Sequence, residues 1–102
     1  MADFKLRYSP LFYNDLDKIT DHVMFELKNE LAAKKLVYDT EVAIRKRLSN
    51  PLGPAPYKSI SGRERSYRRI IVSNYIIFYV VIDDTMIIRR MLYGRRDIDR
   101  IL

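Results

Sequence analysis

Apolar positions in the first thirty residues change from a two-residue spacing to a helical one. Between Asp3 and Tyr8, apolar and charged side chains alternate, which is typical of a half-buried strand. Ser9 and Pro10 then supply a typical N-cap and first helical residue. The apolar residues that follow recur every three or four positions and predict an amphipathic helix of roughly five turns: Phe12, Leu16, Ile19, Val23 and Leu27.

A second helix is predicted to begin at Asn29–Glu30 and to end at Ser49-Asn50-Pro51, because proline cannot continue the helical hydrogen bonds. Its apolar stripe consists of Ala33, Val37, Thr40, Ile44 and Leu48, widened by Leu36 and Ala43. Since the connection to the first helix is short, we expect the two helices to form an antiparallel hairpin.

Three apolar runs follow a loop that extends from Pro51 to Gly62. They predict strands at Tyr67–Val72, Tyr75–Ile82 and Thr85–Tyr93. The connecting pairs Ser73-Asn74 and Asp83-Asp84 are typical of hairpin turns, so the strands should form an antiparallel meander. The middle run is apolar on both faces, as expected of a central strand. The sequence therefore predicts one α+β domain over residues 1–102: an N-terminal strand, a helical hairpin and a three-stranded meander in a small twisted sheet.

Composition excludes several classes of function. The chain has no cysteine and a single histidine, His22, so we expect no metal site. Its three glycines are scattered and form no phosphate-binding loop, so we expect no nucleotide or other cofactor. The N-terminus lacks the apolar block of a signal peptide, and Arg89 and Arg90 interrupt the longest apolar region. We therefore expect a cytoplasmic protein without a membrane partner.

The net charge of +6 is concentrated in the second half of the chain. Residues 1–51 contain nine Lys/Arg and eight Asp/Glu, whereas residues 52–102 contain ten and five, and nine of those ten are arginine. Arginine binds phosphates and carboxylates through paired hydrogen bonds. The distribution favours an anionic partner, either a nucleic acid or an acidic protein segment, over a merely solvated basic face.

Two strings in this half resemble the RelE/ParE superfamily of bacterial toxins, which belong to type II toxin–antitoxin, or plasmid stabilisation, modules. The stretch from Tyr67 to Tyr79 is similar to the family's R-x-x-x-x-x-Y-x-x-x-Y strand pair, and Leu92-Tyr-Gly-Arg-Arg-Asp is similar to its L-[HY]-G-R-R-D ending. The order of strand, two helices and three strands agrees over nearly the whole chain. The resemblance implies a growth-inhibiting toxin that a co-expressed antitoxin neutralises.

The superfamily contains two effector classes. RelE-like members cleave mRNA on the ribosome without a metal, and ParE-like members poison DNA gyrase and are not nucleases. For a ribonuclease, the resemblance assigns the catalytic roles to Arg69, Arg96 and Tyr93: the arginines would stabilise phosphate charge, and Tyr93 stands where many members have histidine. However, Ile76 occupies the position of an expected arginine, and the terminal tyrosine of some members is absent.

These two departures favour a ParE-like gyrase poison or a similar non-catalytic inhibitor, and a metal-independent endoribonuclease is the alternative. Whether the chain is an enzyme stays open at this point. The remaining arginines are expected to bind the target or nucleic acid: Arg68, Arg89, Arg90 and Arg95. The expected partners are a small acidic antitoxin and either DNA gyrase or ribosome-bound mRNA.

Overall fold

The computed structural model describes residues 3–53 and 67–94 of the 102-residue chain. The elements follow in the predicted order: β1 (Lys5–Tyr8), α1 (Pro10–Asp21), a π-helical turn (His22–Glu26), α2 (Glu30–Leu48), β2 (Arg68–Val72), β3 (Tyr75–Ile82) and β4 (Thr85–Tyr93). Neither α-helix of these residues combines the length and the apolar character that crossing a bilayer requires.

The four strands form one mixed sheet in the order β1-β4-β3-β2. The antiparallel β2-β3-β4 meander confirms the prediction, and β1 adds a parallel strand beside β4. Ser73 and Asp83 begin the two hairpin turns with φ values of 55° each, the left-handed conformation that tight hairpins require. The sheet therefore has two central strands, β3 and β4, and two edge strands.

Both helices pack on the same face of this sheet, α1 against β4 and α2 against β2. The core between the helices and the sheet is continuous and includes Phe12, Val23, Ala33, Leu36, Ile44, Ile70, Val72, Ile77, Tyr79, Met86, Ile88 and Met91. A second, smaller cluster of Tyr67, Phe78 and Leu92 forms on the opposite face, where the Tyr67 and Phe78 rings meet edge to face at 6.3 Å. The middle strand is thus buried on both faces, as its sequence predicts.

A π-helical turn changes the first helix near its end. The Leu27 amide donates to the His22 carbonyl, five residues earlier, at 3.1 Å. The wider turn rotates the following residues away from the core, so that Leu27, predicted to be buried, is 59% exposed. In α2 the buried line runs through Leu36 instead of Val37, which is 41% exposed. These two assignments of the apolar stripes were wrong.

The residues at the N-cap positions of the two helices use their side chains differently. The Asn29 side chain caps α2 by accepting from the Ala32 amide at 3.0 Å. Ser9 occupies the predicted N-cap of α1, but its hydroxyl makes no capping bond. It donates instead to the Arg89 carbonyl at 2.7 Å, and the Ser9 amide donates to the neighbouring Ile88 carbonyl at 2.8 Å. Ser9 therefore fastens the turn between β1 and α1 to the sheet.

Candidate functional site

The two arginines of β2 lie on opposite faces of the sheet. Arg68 opposes Tyr79 and Arg69 opposes Phe78 in a regular antiparallel register, and successive side chains alternate between faces. Arg68 is half-buried on the helix-bearing face, and Arg69 is exposed on the other. The structure therefore does not combine them into a single arginine pair.

A groove of about 930 Å³ opens where the C-terminal end of α2 meets the edge strand β2. Its described lining combines basic, polar and apolar residues: Ala43, Lys46, Arg47, Ser49, Asn50, Gly53, Arg69, Ile70 and Ile71. Arg47 fixes the wall by donating to the Arg69 carbonyl at 2.9 Å and to the Tyr79 hydroxyl at 3.2 Å. The buried Tyr79 hydroxyl donates in turn to the Pro51 carbonyl at 2.7 Å.

Arg89 is the extra residue of a β-bulge in β4. The pairing with β3 passes from Tyr79–Ile88 directly to Phe78–Arg90, so Arg89 has no cross-strand partner. Its side chain is exposed, whereas its carbonyl is held by Ser9. The bulge thus presents one arginine to solvent on a fixed backbone.

Arg90, the next residue, is engaged inside the protein. Its Nε and Nη2 donate to the two carboxylate oxygens of Asp15 at 2.7 and 3.0 Å, a bidentate pair between β4 and α1. The hydrogen bond to Asp15 raises the pKa of the Arg90 guanidinium above its already high value. Asp15 also accepts from the Met91 amide at 3.0 Å. Since β1 ends opposite Ile88, this carboxylate replaces the missing strand as partner of the β4 edge.

Two tyrosines meet at the end of the sheet formed by the β2-β3 turn and the end of β4. The rings of Tyr75 and Tyr93 are edge to face at 5.8 Å, and Tyr93 is 37% exposed. Burial raises the pKa of the Tyr75 phenol above its usual value, and the neighbouring Tyr93 adds to the increase. Directly afterwards, the Gly94 amide donates to the Asn74 carbonyl at 2.9 Å. This end of the sheet offers aromatic rings on which a partner can stack. None of the four residues Asn74, Tyr75, Tyr93 and Gly94 carries a carboxylate.

Arg69 and Tyr93, two of the three residues predicted as a catalytic set, are not brought together. Arg69 shares the face of Phe78, whereas Tyr93 shares that of Tyr75, and these two β3 residues point to opposite sides. Arg95 and Arg96 lie outside the described residues.

Sequence reasoning missed Arg47 and Asp15, which support this region from the helices. Their partners lie 22 and 75 residues away along the chain, and no local pattern marks them. His22 lies at the surface, where its Nδ1 is 2.6 Å from Glu26 Oε2 in the π-helical turn. No group of His, Asp or Glu able to hold a metal ion occurs in residues 3–53 and 67–94.

Comparison with known proteins gives a consistent answer. The sequence model of the ParE toxin of the type II toxin–antitoxin system parDE matches residues 6–98. A chain of the chromosomal ParDE system from P. aeruginosa has the same fold, with a TM-score of 0.74 at 19% identity over 89% of this chain and 96% of that one. No curated protein sequence matches.

Two other solved structures share the fold at greater distance. YafQ from E. coli strain BL21(DE3) has a TM-score of 0.56 at 16% identity, covering 88% of this chain and 92% of its own. The RelB-RelE antitoxin–toxin complex from Methanococcus jannaschii contains a chain with a TM-score of 0.53 at 28% identity, over 94% and 99%. Because the sequence model covers nearly the whole chain and the fold agrees, the chain belongs to the ParE toxin family of type II toxin–antitoxin systems.

Proposed function

We propose that this ParE-family toxin inhibits growth by binding DNA gyrase rather than by cleaving RNA, and that a cognate antitoxin holds it inactive. The gyrase target follows from the family resemblance. The preference for a non-catalytic action rests on one geometric observation, the separation of Arg69 and Tyr93 on opposite faces of the sheet.

A ribonuclease of the RelE type needs several groups around one phosphate, within hydrogen-bond distance of the reacting atoms. Residues on opposite sheet faces cannot meet that requirement. In addition, Ile76 stands where the catalytic pattern has arginine, and its side chain packs against the Tyr67, Phe78 and Leu92 cluster. Loss of one such donor typically lowers the rate by two to three orders of magnitude. The described sheet thus favours a binding surface over a catalytic centre.

The experiment that separates the two mechanisms measures both activities on the same toxin. We expect the purified chain to inhibit supercoiling by purified gyrase, and primer extension on a reporter mRNA after induction to show no cleavage phased to the ribosomal A site. Arg69→Ala and Arg96→Ala should both relieve growth inhibition. Because Arg69 is exposed, Arg69→Ala should do so with a nearly unchanged melting temperature, since exposed substitutions usually shift stability by no more than about 0.5 kcal/mol. Phased mRNA cleavage that disappears in Arg96→Ala and in Tyr93→Phe would establish the ribonuclease instead.

The antitoxin part of the proposal rests on the charge of residues 52–102 and on the relatives solved as toxin–antitoxin complexes. An acidic partner should associate faster at low salt, because complementary charges steer the encounter. Arg89→Glu is the appropriate charge reversal, since Arg89 is exposed on its bulge, whereas Arg90 is engaged with Asp15. Lys18→Glu, an exposed position in α1, changes the charge equally and serves as the control.

We expect the association rate to fall with rising salt and to fall further in Arg89→Glu than in Lys18→Glu. Equal effects of the two reversals, or an association rate independent of salt, would show that the arginine-rich half does not attract the antitoxin.

A further inference from the structure

Helix α2 is apolar on two opposite sides. The inner side packs on the sheet through Ala33, Leu36, Thr40 and Ile44. The outer side carries three large side chains that are 80%, 66% and 45% exposed: Leu31, Tyr38 and Val42. At 3.6 residues per turn these three lie within about 20° of one line along the helix. A surface helix normally presents polar residues there, so this outer stripe (Leu31, Tyr38, Val42) is a candidate interface.

The charges beside the outer stripe limit what it can bind. Seven charged residues flank it in the order Glu30, Lys34, Lys35, Asp39, Glu41, Arg45 and Lys46. The first six form three i,i+4 ion pairs, with N–O distances of 3.2 Å for Lys34–Glu30, 2.6 Å for Lys35–Asp39 and 3.3 Å for Arg45–Glu41. The paired charges cancel and only Lys46 is left over, so this side of α2 offers little net attraction to an acidic protein or to nucleic acid, unlike the arginine-rich half of the chain.

The order of the six paired charges is complementary to itself when it is reversed. We propose that the outer stripe binds the outer stripe of a second copy of this chain, with the two α2 helices antiparallel and crossing near Tyr38. In that arrangement Glu30 faces Arg45 of the second copy. Likewise, Lys34 faces Glu41 and Lys35 faces Asp39 of that copy. The midpoints of the three pairs nearly coincide along the helix, next to Tyr38, so one two-fold axis relates all of them. The charge pairs then form between the copies as well as within each helix.

The apolar residues fit the same register. With a rise of 1.5 Å per residue, the centre that pairs the charges places Leu31 within about 3 Å, along the helix axis, of Val42 of the second copy. It also places the two Tyr38 side chains next to each other. Antiparallel helices oppose their dipoles, which favours this orientation over a parallel one. A single pair of helices is expected to bury less than the roughly 1,600 Å² of a standard interface, so the dimer should be weak and should dissociate on dilution.

Sedimentation equilibrium of the purified chain over a range of concentrations tests the proposal, which does not depend on the toxin's target. Tyr38→Glu should weaken the dimer by at least about tenfold, because it brings two carboxylates together at the crossing point. Lys35→Glu should weaken it as well, and the double reversal Lys35→Glu with Asp39→Lys should restore it. Lys18→Glu in α1 is the matched control and should leave the dimer unchanged. Circular dichroism checks that each variant is folded.

Cysteine cross-linking tests the register, because the chain has no cysteine of its own. Tyr38→Cys lies next to its own copy at the crossing point and should form a disulfide-linked dimer under mild oxidation. Leu31→Cys should not, since its two copies would be about 20 Å apart along the antiparallel helices.

Three results would overturn the proposal: a chain that stays monomeric at several hundred micromolar, a dimer that Tyr38→Glu leaves intact, or equal cross-linking through Leu31→Cys, which would indicate a parallel pair.

Discussion

Asp15 is the residue whose removal should most disturb the junction between α1 and the sheet. Its carboxylate accepts three hydrogen bonds, two from the Arg90 guanidinium at 2.7 and 3.0 Å and one from the Met91 amide at 3.0 Å. The side chains of the ion pair are only 21% and 12% exposed, for Arg90 and Asp15 respectively. The substitution Asp15→Ala removes all three bonds and leaves a largely buried guanidinium with fewer acceptors.

The size of the effect follows from these contacts. Hydrogen bonds to charged groups contribute about 1.5–3 kcal/mol each, and breaking a fully buried ion pair costs about 3–5 kcal/mol. Because this pair keeps some contact with water, we expect Asp15→Ala to lower the free energy of unfolding by about 3 kcal/mol. For a domain of this length that corresponds to a fall in melting temperature of roughly 15 °C.

Denaturant unfolding of Asp15→Ala, Arg90→Ala and the double variant measures both the loss and the coupling between the two residues. Asp39→Ala is the control, since it removes a carboxylate from an exposed helical ion pair and should cost no more than about 0.5 kcal/mol. If Asp15→Ala proves no more destabilising than Asp39→Ala, the bidentate pair does not fasten α1 to the sheet, and the reasoning fails.

Two further predictions concern single groups of the core. Thr40 is 2% exposed, and its hydroxyl has no hydrogen-bond partner within the described residues. Thr40→Val should therefore raise the free energy of unfolding, measured by denaturant titration, by about 1 kcal/mol. A lower free energy of unfolding would show that the hydroxyl does have a partner. Burial raises the pKa of Tyr75 above its usual 10.0, so its folded state favours the protonated phenol and its contribution to stability is lost as the pH rises above about 10. Melting temperatures between pH 8 and 11 should therefore fall less steeply in Tyr75→Phe than in the exposed control Tyr13→Phe, and equal slopes would contradict the assignment.

The sequence predicted the meander closely and also predicted β1 as a strand, but it did not indicate where β1 pairs in the sheet. The runs Tyr75–Ile82 and Thr85–Tyr93 coincide with β3 and β4, because turn residues bound each run and the apolar pattern inside it is strong. The pairing of β1 with β4 joins residues 80 positions apart, and no local signal identifies it. The sequence does not indicate the β-bulge at Arg89 either, because nothing in the Arg89-Arg90 pair distinguishes a bulged strand from a regular one.

The sequence shows which strand carries each of these arginines, but it does not show which of them is exposed and which is bound by another residue of the protein. Arg89 and Arg90 are adjacent and chemically identical, yet one is exposed on a bulge and the other is bound to Asp15 on a distant helix. The difference arises because β1 is shorter than β4, which leaves a stretch of the β4 edge that a carboxylate from α1 must satisfy. Chain topology, rather than residue type, decides which arginine is available to a partner.

Helix α2 shows why a single apolar stripe was an inadequate description. The helical spacing predicts one buried face through Ala33, Thr40 and Ile44 and includes Val37, which lies at the margin of that face. Leu31 and Tyr38 lie outside it, although large apolar residues are unfavourable on a solvent-exposed side. A helix that buries one face in its own domain and carries a second apolar line among nearly balanced charges has two packing requirements. Only the first of these is met within one chain, and this is the physical reason to expect the second in an assembly.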